Sequence, residues 1–236
     1  MRRILVSSAV LGRVELGAAQ AHHLRDVLRL GVGAEIEVFD KDGVSGRGRI
    51  VAAEGRGVTI EVDQIGRGLA AKCRLSIAAA VPKAARADWM IEKLGELGVE
   101  AFVPLITRRS VVSPKGSAKN ERWNRLAAES ARQSGRAGVM RIEPLTDLAR
   151  LMERAGAEGI VIWHLSLVEN SVSIFELVRT LPPVLSVLVG PEGGWSPEES
   201  AAFAAAGIAG ARLTGTVLRV ETAAVAAAAV IQSALT

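Results

Sequence analysis

The sequence predicts an α/β protein in two parts: a small antiparallel β-barrel over residues 1–70, then an α/β domain over residues 71–236 whose mostly parallel sheet is covered on both faces. Three observations carry this expectation. The first seventy residues read as short alternating strands with a hairpin signal, whereas from Arg74 onward strands and helices alternate. Nearer the C-terminus the apolar run Val184 to Val189 passes directly into Gly190-Pro191-Glu192-Gly193-Gly194-Trp195-Ser196, a glycine-rich turn that ends in a helix cap. With 236 residues, 49% of them apolar, the chain has material for two cores.

In the first part, Met1 to Val10 has the look of a short signal sequence, but its apolar run is broken by Ser7 and Ser8 and followed at once by Arg13 and Glu15; it reads as a first strand. A helix is expected from about Ala18 to Leu30. Ala34 to Phe39 alternates, Asp42-Gly43 signals a hairpin, and Arg49 to Val51 and Val58 to Val62 continue as strands. Gly66-Arg67-Gly68 reads as the linker to the second part.

In the second part Leu75 to Val81 is expected as a strand. Asp88 to Leu97 follows as a helix with Met90, Leu94 and Leu97 on one face and Gly98 as its stop, and Ala101 to Ile106 as a strand. Helices over Ser117 to Ser134 and Thr146 to Ala155 precede a strand over Ile160 to Trp163, a helix over Ser173 to Arg179 and the buried strand Val184 to Val189. Ser196-Pro197-Glu198-Glu199 supplies an N-cap Ser, a Pro at the first helical position and a Glu three residues after the cap, so a helix runs from Pro197 to Ala206. A short strand near Ala211 to Leu213 and a last helix from about Thr222 complete the domain.

Composition excludes several classes. One cysteine, Cys73, rules out an intramolecular disulfide, and His22, His23 and His164 are too few and scattered for a zinc set, so no metal is expected. The alanine-rich stretch Ala223 to Ala229 is far shorter than the roughly 20 residues of a membrane helix, which points to a cytoplasmic protein with no membrane partner. Aromatic content of 3% with no Tyr argues against a base-stacking platform for single strands. Charge is uneven: residues 71–141 hold 14 Lys/Arg against 6 Asp/Glu, while residues 142–236 hold 5 against 10. A basic middle third fits a polyanionic partner, and equally a solvated charged face.

In parallel sheets ligands lie beyond the carboxyl ends of the strands, where Gly190 to Gly194, His164 and the segment Leu213 to Ala223 all fall. Gly190, Gly193 and Gly194 leave room for close backbone approach. No Gly-x-Gly-x-x-Gly turn follows the first strand and no Gly-Lys-Ser/Thr ending is present, which disfavours a dinucleotide or ATP site. Arg219 and Glu221 either pair with each other or meet a ligand. The alanines behind them suit a tightly packed interior or dimer helix. Arg125, Glu129, Arg132 and Arg136 share a helix side, giving either a phosphate-binding stripe extended by Arg108 and Arg109 or an ordinary surface face; His22, His23, Arg25 and Arg29 extend the stripe in the first case.

These segments together resemble the SPOUT-class methyltransferases that modify a uridine at N3 in small-subunit ribosomal RNA. The resemblance runs nearly end to end. It rests on His22-His23-Leu24-Arg25 with Val27-Leu28-Arg29-Leu30, Pro82-Lys83, Glu92-Lys93, Glu96-Leu97-Gly98-Val99, Arg109-Ser110-Val111-Val112, Glu121-Arg122-Trp123 and Gln133-Ser134-Gly135-Arg136. Its most specific parts are Gly190-Pro191-Glu192-Gly193-Gly194-x-Ser196-Pro197-Glu198-Glu199 and Leu218-Arg219-x-Glu221-Thr222-Ala223. Two departures stand out: Trp195 where the family usually has Phe, and Leu213-Thr214 with Gly215 where Leu-Gly is usual.

The resemblance implies a PUA-like RNA-binding barrel, a SPOUT domain with a C-terminal trefoil knot that binds S-adenosylmethionine, and a homodimer acting on ribosomal RNA or the small ribosomal subunit. Leu188, Gly190, Glu192, Gly193, Gly194, Leu213, Gly215, Leu218 and His164 would then hold the cofactor. Arg219 would stabilise the uracil anion, and Glu221 or Glu192 would take its proton. Arg25, Arg29, Arg109, Arg122, Arg132 and Arg136 would meet RNA phosphates. Two other classes stay open: an RNA-binding protein of this fold without catalysis, prompted by Thr214, and an α/β enzyme acting on a small anionic metabolite.

Overall fold

The computed structural model describes residues 2–54, 57–68, 71–110 and 117–235; Met1, Val111 and Val112, which the sequence motifs include, lie outside them. Two compact units divide the chain, one of Met1–Ala70 with Ala131–Val139 and one of Ala71–Ser130 with Met140–Thr236.

The first unit holds β1 (Arg2–Leu5), β2 (Gly12–Glu15), the short helix α1 (Ala18–His22) continued by a π-helical turn over His23–Val27, β3 (Glu35–Phe39), β4 (Val44–Ala52) and β5 (Thr59–Arg67). Its sheet runs β1-β3-β4-β5-β2. The expected antiparallel barrel is thus a mixed sheet: β1 pairs with β3 in parallel, because α1 and β2 intervene and return the chain in the same direction, and no β1–β2 ladder closes the sheet among the described residues. The alternation in β3 buries Ile36 and Val38, which meet Ile4, Val14, Leu24, Ile50 and Ile60 in one core.

Three other expectations change. The strand β2 is missed by sequence because only Val14 of its four residues is buried. The helix expected to Leu30 ends at the π-helical turn, with Arg29 at φ 54°. Gly66 and Arg67 are not a linker but the end of β5, paired with Ser45 and Val44.

The second unit holds β6 (Arg74–Ala80), α2 (Ala84–Glu96), β7 (Ala101–Ile106), α3 (Ser117–Ser134, of which residues 131–134 belong to the first unit), β8 (Arg141–Ile142), β9 (Thr146–Asp147), α4 (Leu148–Glu158), β10 (Val161–Leu165), β11 (Val172–Ser173), α5 (Ile174–Leu177), β12 (Val184–Val189), α6 (Pro197–Ala205), β13 (Ala209–Arg212) and α7 (Val220–Ser233). The sheet order is β11-β13-β10-β12-β6-β7-β8, with β9 also on β7, and every pairing is parallel. Near-continuous burial of β6, β7 and β12 follows from apolar residues on both faces.

Helix ends shift for local reasons. Asp147 accepts from the Arg150 amide at 2.9 Å and so caps α4 one residue after the expected start, and Gly159 at φ 66° stops it. In α2 the first turn begins at Ala84, four residues ahead of the expected Asp88. Helix α7 begins at Val220, which places Glu221 in its first turn and Arg219 at its N-cap. Ala224, Ala227 and Ala228 are fully buried where α7 packs on α2 and β6, so the alanines form an interior helix.

Candidate functional site

The order β13-β10-β12 brings three strand ends side by side, and the loops that leave them wall one cavity of about 790 Å³. That is the size of a small-molecule site, roughly 300–1,000 Å³. Its lining includes His164 after β10, Gly190 to Trp195 after β12, and Leu213, Thr214, Thr216 to Leu218, Val220 and Ala223 after β13. The loop 165–168 with Asn170 and Ser171 lines it too, a contribution the sequence reading missed although it follows a strand end.

The loop after β12 is braced on every side. Ser196 and Glu199 form the expected capping box, the Ser196 hydroxyl accepting from the Glu199 amide at 3.2 Å and the Glu199 carboxylate accepting from the Ser196 amide at 2.8 Å. The other Glu199 oxygen accepts from the Arg108 amide at 2.9 Å, tying in the loop after β7. Arg109 Nη1 donates to the Gly193 carbonyl at 2.7 Å, and the Trp195 indole donates to the Leu165 carbonyl at 3.0 Å.

The glycines are not equivalent. Gly194 sits at φ 70°, which favours glycine, and a Cβ on Gly190 would lie 3.0–3.3 Å from the Trp195 ring, so any side chain there crowds the indole. A Cβ on Gly193 would meet Arg109 at ordinary contact distance, so the turn itself does not demand glycine there.

Trp195, Phe203 and His164 form an aromatic cluster at the cavity floor: His164 stacks on Phe203 at 4.3 Å and Trp195 meets Phe203 edge-on at 5.0 Å. Burial pushes the His164 pKa down to about 4, so the imidazole is neutral at pH 7. Its Nδ1 is buried without a hydrogen-bond partner among the described residues.

The loop after β13 is different. Thr214 to Val217 are exposed, and the Thr214 hydroxyl donates to the Thr216 carbonyl at 2.8 Å, closing its own turn. Gly215 lies outside the cavity lining, and a Cβ there would meet nothing within 4 Å. Leu188 also lies outside it, its side chain packed in the core with Ala78, Leu105 and Phe203.

Arg219 and Glu221 do not pair. Arg219 is exposed and lines neither this cavity nor its neighbour, whereas Glu221 is buried and meets Arg86 of α2 at 3.5 Å. The same Arg86 nitrogen meets Glu192 at 3.2 Å. Arg86, absent from the sequence-level candidates, thus joins both candidate carboxylates; in sequence it is only one charge three residues past Pro82-Lys83. A second, smaller cavity of about 160 Å³ lies here, lined by Ala80 to Lys83, Arg86, Ser110, Pro191, Glu192 and Val220.

The candidate RNA-contacting arginines are dispersed. Arg122 is paired with Asp88 at 2.8 Å, and Trp123 of the same helix donates to the other Asp88 oxygen at 3.2 Å. Arg109 braces Gly193. In the first unit Arg25 pairs with Asp26 at 2.9 Å, and Asp26, also bonded to His22 at 2.6 Å, is held down to about 2 by these partners. Arg29 is exposed; Arg132 and Arg136 are half-buried, and the Arg136 carbonyl accepts from Arg3 at 3.2 Å. Among the described residues no cluster of His, Cys, Asp and Glu is arranged to hold a metal ion.

Comparison with known proteins agrees with this geometry. Residues 70–232 match the family model described as an RNA methyltransferase domain, and residues 16–63 match an RNA methyltransferase PUA domain. Ribosomal RNA small subunit methyltransferase E of Synechocystis is 31% identical over 225 residues, covering 94% of this chain and 73% of that protein. Its counterpart in Bacillus subtilis is 30% identical over 189 residues, covering 76% and 74%. The crystal structure of the Neisseria gonorrhoeae methyltransferase E bound to S-adenosylmethionine superposes with a TM-score of 0.88 at 25% identity over 99% of this chain and 97% of that one. A Legionella pneumophila methyltransferase with bound S-adenosylmethionine gives 0.86 at 26% identity, covering 98% and 97%. A strand-end cavity walled by the Gly190 to Ser196 and Leu213 to Ala223 loops, inside a family match spanning most of the chain, means that the protein belongs to the RNA methyltransferase family that includes the ribosomal RNA small subunit methyltransferases E.

Proposed function

We propose that this protein transfers a methyl group from S-adenosylmethionine to N3 of a uridine in small-subunit ribosomal RNA. The observation that carries the reading is the 790 Å³ cavity at the ends of β10, β12 and β13 within the family-matched region. Its floor fits the cofactor: a neutral His164 does not repel a sulfonium, whereas an imidazolium would, and its buried Nδ1 has a hydrogen bond to spare among the described residues. Leu213, Leu218, Val220 and Ala223 supply apolar walls, and the backbone of Gly190, Gly193 and Gly194 is open to close approach.

When bound, S-adenosylmethionine supplies an electrophilic methyl whose bonding pair stays on sulfur. The protein's residues must fix the ring that receives it, take the N3 proton and stabilise the anion left behind. Glu192 and Glu221 are the carboxylates at hand, both held by Arg86. Thr214, whose presence prompts the reading without catalysis, spends its hydroxyl on Thr216 and leaves the cavity open. The metabolite-enzyme reading assigns no role to the basic middle segment.

The reading further includes a homodimer, supported by exposed apolar Leu167, Val168 and Val217 on the cavity rim and Phe175 beyond it. It includes a knotted threading of the C-terminal loops, and a cytoplasmic protein that meets RNA phosphates through Arg25, Arg29, Arg109, Arg122, Arg132 and Arg136. Among the described residues no helix is long and apolar enough to cross a membrane.

The test is mass spectrometry of ribosomal RNA from cells with and without the gene, where one N3-methyluridine is expected to vanish on deletion. Unchanged RNA overturns the proposal. Calorimetry with S-adenosylmethionine separates an enzyme from an RNA-binding relative without catalysis, and sedimentation tests the dimer.

A further inference from the structure

Resting on the proposed methyl transfer, we infer that the smaller cavity seats the target pyrimidine and that Arg86, rather than Arg219, is the cation that stabilises its deprotonated ring. The two cavities adjoin. Pro191, Glu192 and Val220 line both, so an occupant of the smaller one sits beside an occupant of the larger. A methyl transfer between two ligands needs this adjacency.

Size selects the occupant. At about 160 Å³ against about 790 Å³, the smaller cavity is the narrower of the two and suits a flat single ring. A base inside a folded RNA would have to leave its stack to enter. Val81, Pro82 and Pro191 offer apolar surface to the ring faces, while Lys83, Arg86, Ser110 and Glu192 place polar groups at its edges.

Charge selects the chemistry. Uracil carries its N3 proton between two carbonyls, and loss of that proton spreads negative charge over both oxygens. Two cations and one carboxylate on a single-ring cavity match that need. Glu192 lines the cavity and its side chain is 64% exposed, so it can take the proton; Glu221, buried in the first turn of α7 and outside the lining, acts as the anchor of Arg86. Protonation of Glu192 weakens its 3.2 Å pair with Arg86 and leaves the guanidinium to the ring oxygen that has just gained charge. The proton thus moves from N3 to Glu192 Oε, and the N3 electron pair becomes available to the methyl carbon. The backbone next to the lining residue Lys83 is strained, Ala84 standing at φ 24°.

The experiment compares wild type, Arg86→Gln, Arg86→Lys and Arg219→Gln on an RNA fragment containing the uridine mapped by mass spectrometry. In single turnover at pH 7, Arg86→Gln is expected to lose about 10²–10³-fold, the scale for removing one charge-stabilising donor, with Arg86→Lys recovering part of it. The Arg86→Gln rate should climb close to tenfold per pH unit as solvent deprotonates the base, above a flatter wild-type profile. Affinity for S-adenosylmethionine, measured by calorimetry, should stay within about threefold, which a merely structural loss would not allow. Without cofactor, 2-aminopurine placed beside the target uridine should brighten on binding to wild type and less with Lys83→Gln/Arg86→Gln. The inference is overturned if Arg86→Gln turns over at the wild-type rate, if it loses cofactor affinity in parallel with activity, or if Arg219→Gln costs more. If wild type itself methylates no uridine, the proposed function fails instead.

Discussion

The two loops that face each other across the large cavity are built on opposite principles. The loop after β12 is over-determined: a capping box, the Arg109 and Trp195 hydrogen bonds, the Arg86 pair and the Glu199 tie to Arg108 hold about seven residues in place. The loop after β13 carries one internal turn at Thr214, and Val217 stands 78% exposed. A cavity with one fixed wall and one lightly held wall can keep its reacting geometry on the fixed side while the other side admits the ligand.

The sharpest way to break this contrast is to put the same kind of change into each wall. Gly190→Val drives a branched side chain into Trp195 and is expected to weaken S-adenosylmethionine binding at least 100-fold by calorimetry, while Gly215→Ala stays within about twofold; comparable losses at both would erase the distinction. Next in size, Glu199→Ala removes two buried hydrogen-bond acceptors and leaves the Ser196 and Arg108 amides unsatisfied, a cost of about 2–4 kcal/mol in urea unfolding.

Acid probes the floor beneath the fixed wall. The folded pKa of His164, about 4, lies below its ordinary 6.5, so the unfolded state binds more protons between these values and the His164 contribution to stability falls as pH drops through that window. It is level above pH 6.5. The urea midpoint of wild type should therefore fall relative to that of His164→Phe as pH drops from 7 to 4.5; parallel curves would deny the burial effect. A smaller effect is expected from Arg109→Ala, which loses one exposed hydrogen bond: cofactor affinity falls a few-fold, and the salt slope of RNA binding decreases by about 1 if the guanidinium also meets a phosphate. Thr214→Gly, in the lightly held wall, should change stability by less than about 0.5 kcal/mol.

Legibility in the sequence followed how local each signal was. The glycine junction, its cap at Ser196 and the parallel strands β6, β7, β10 and β12 are written in consecutive residues, and the carboxyl-end rule located the large cavity from them. The strand β2 has a single buried side chain and so no pattern, and the π-helical turn at His23–Val27 differs from an α-helix by hydrogen-bond register, which residue periodicity does not encode. The mixed sheet of the first unit depends on the order in which strands return, a non-local property. Arg86 is the instructive omission. Its partners lie 106 and 135 residues away: the β6–β12 pairing brings Glu192 within reach, and the packing of α2 against α7 brings Glu221.

That packing gives the alanines of α7 a role in dimensioning as well as in filling. Ala224, Ala227 and Ala228 have no exposed surface, so a larger side chain at any of them would act as a shim and lift α7 away from its neighbours. Glu221 rides on the first turn of the same helix, and the 3.5 Å gap to Arg86 would widen with the shim. The chain's plainest residues therefore act as the gauge blocks that hold a charged pair to tolerance.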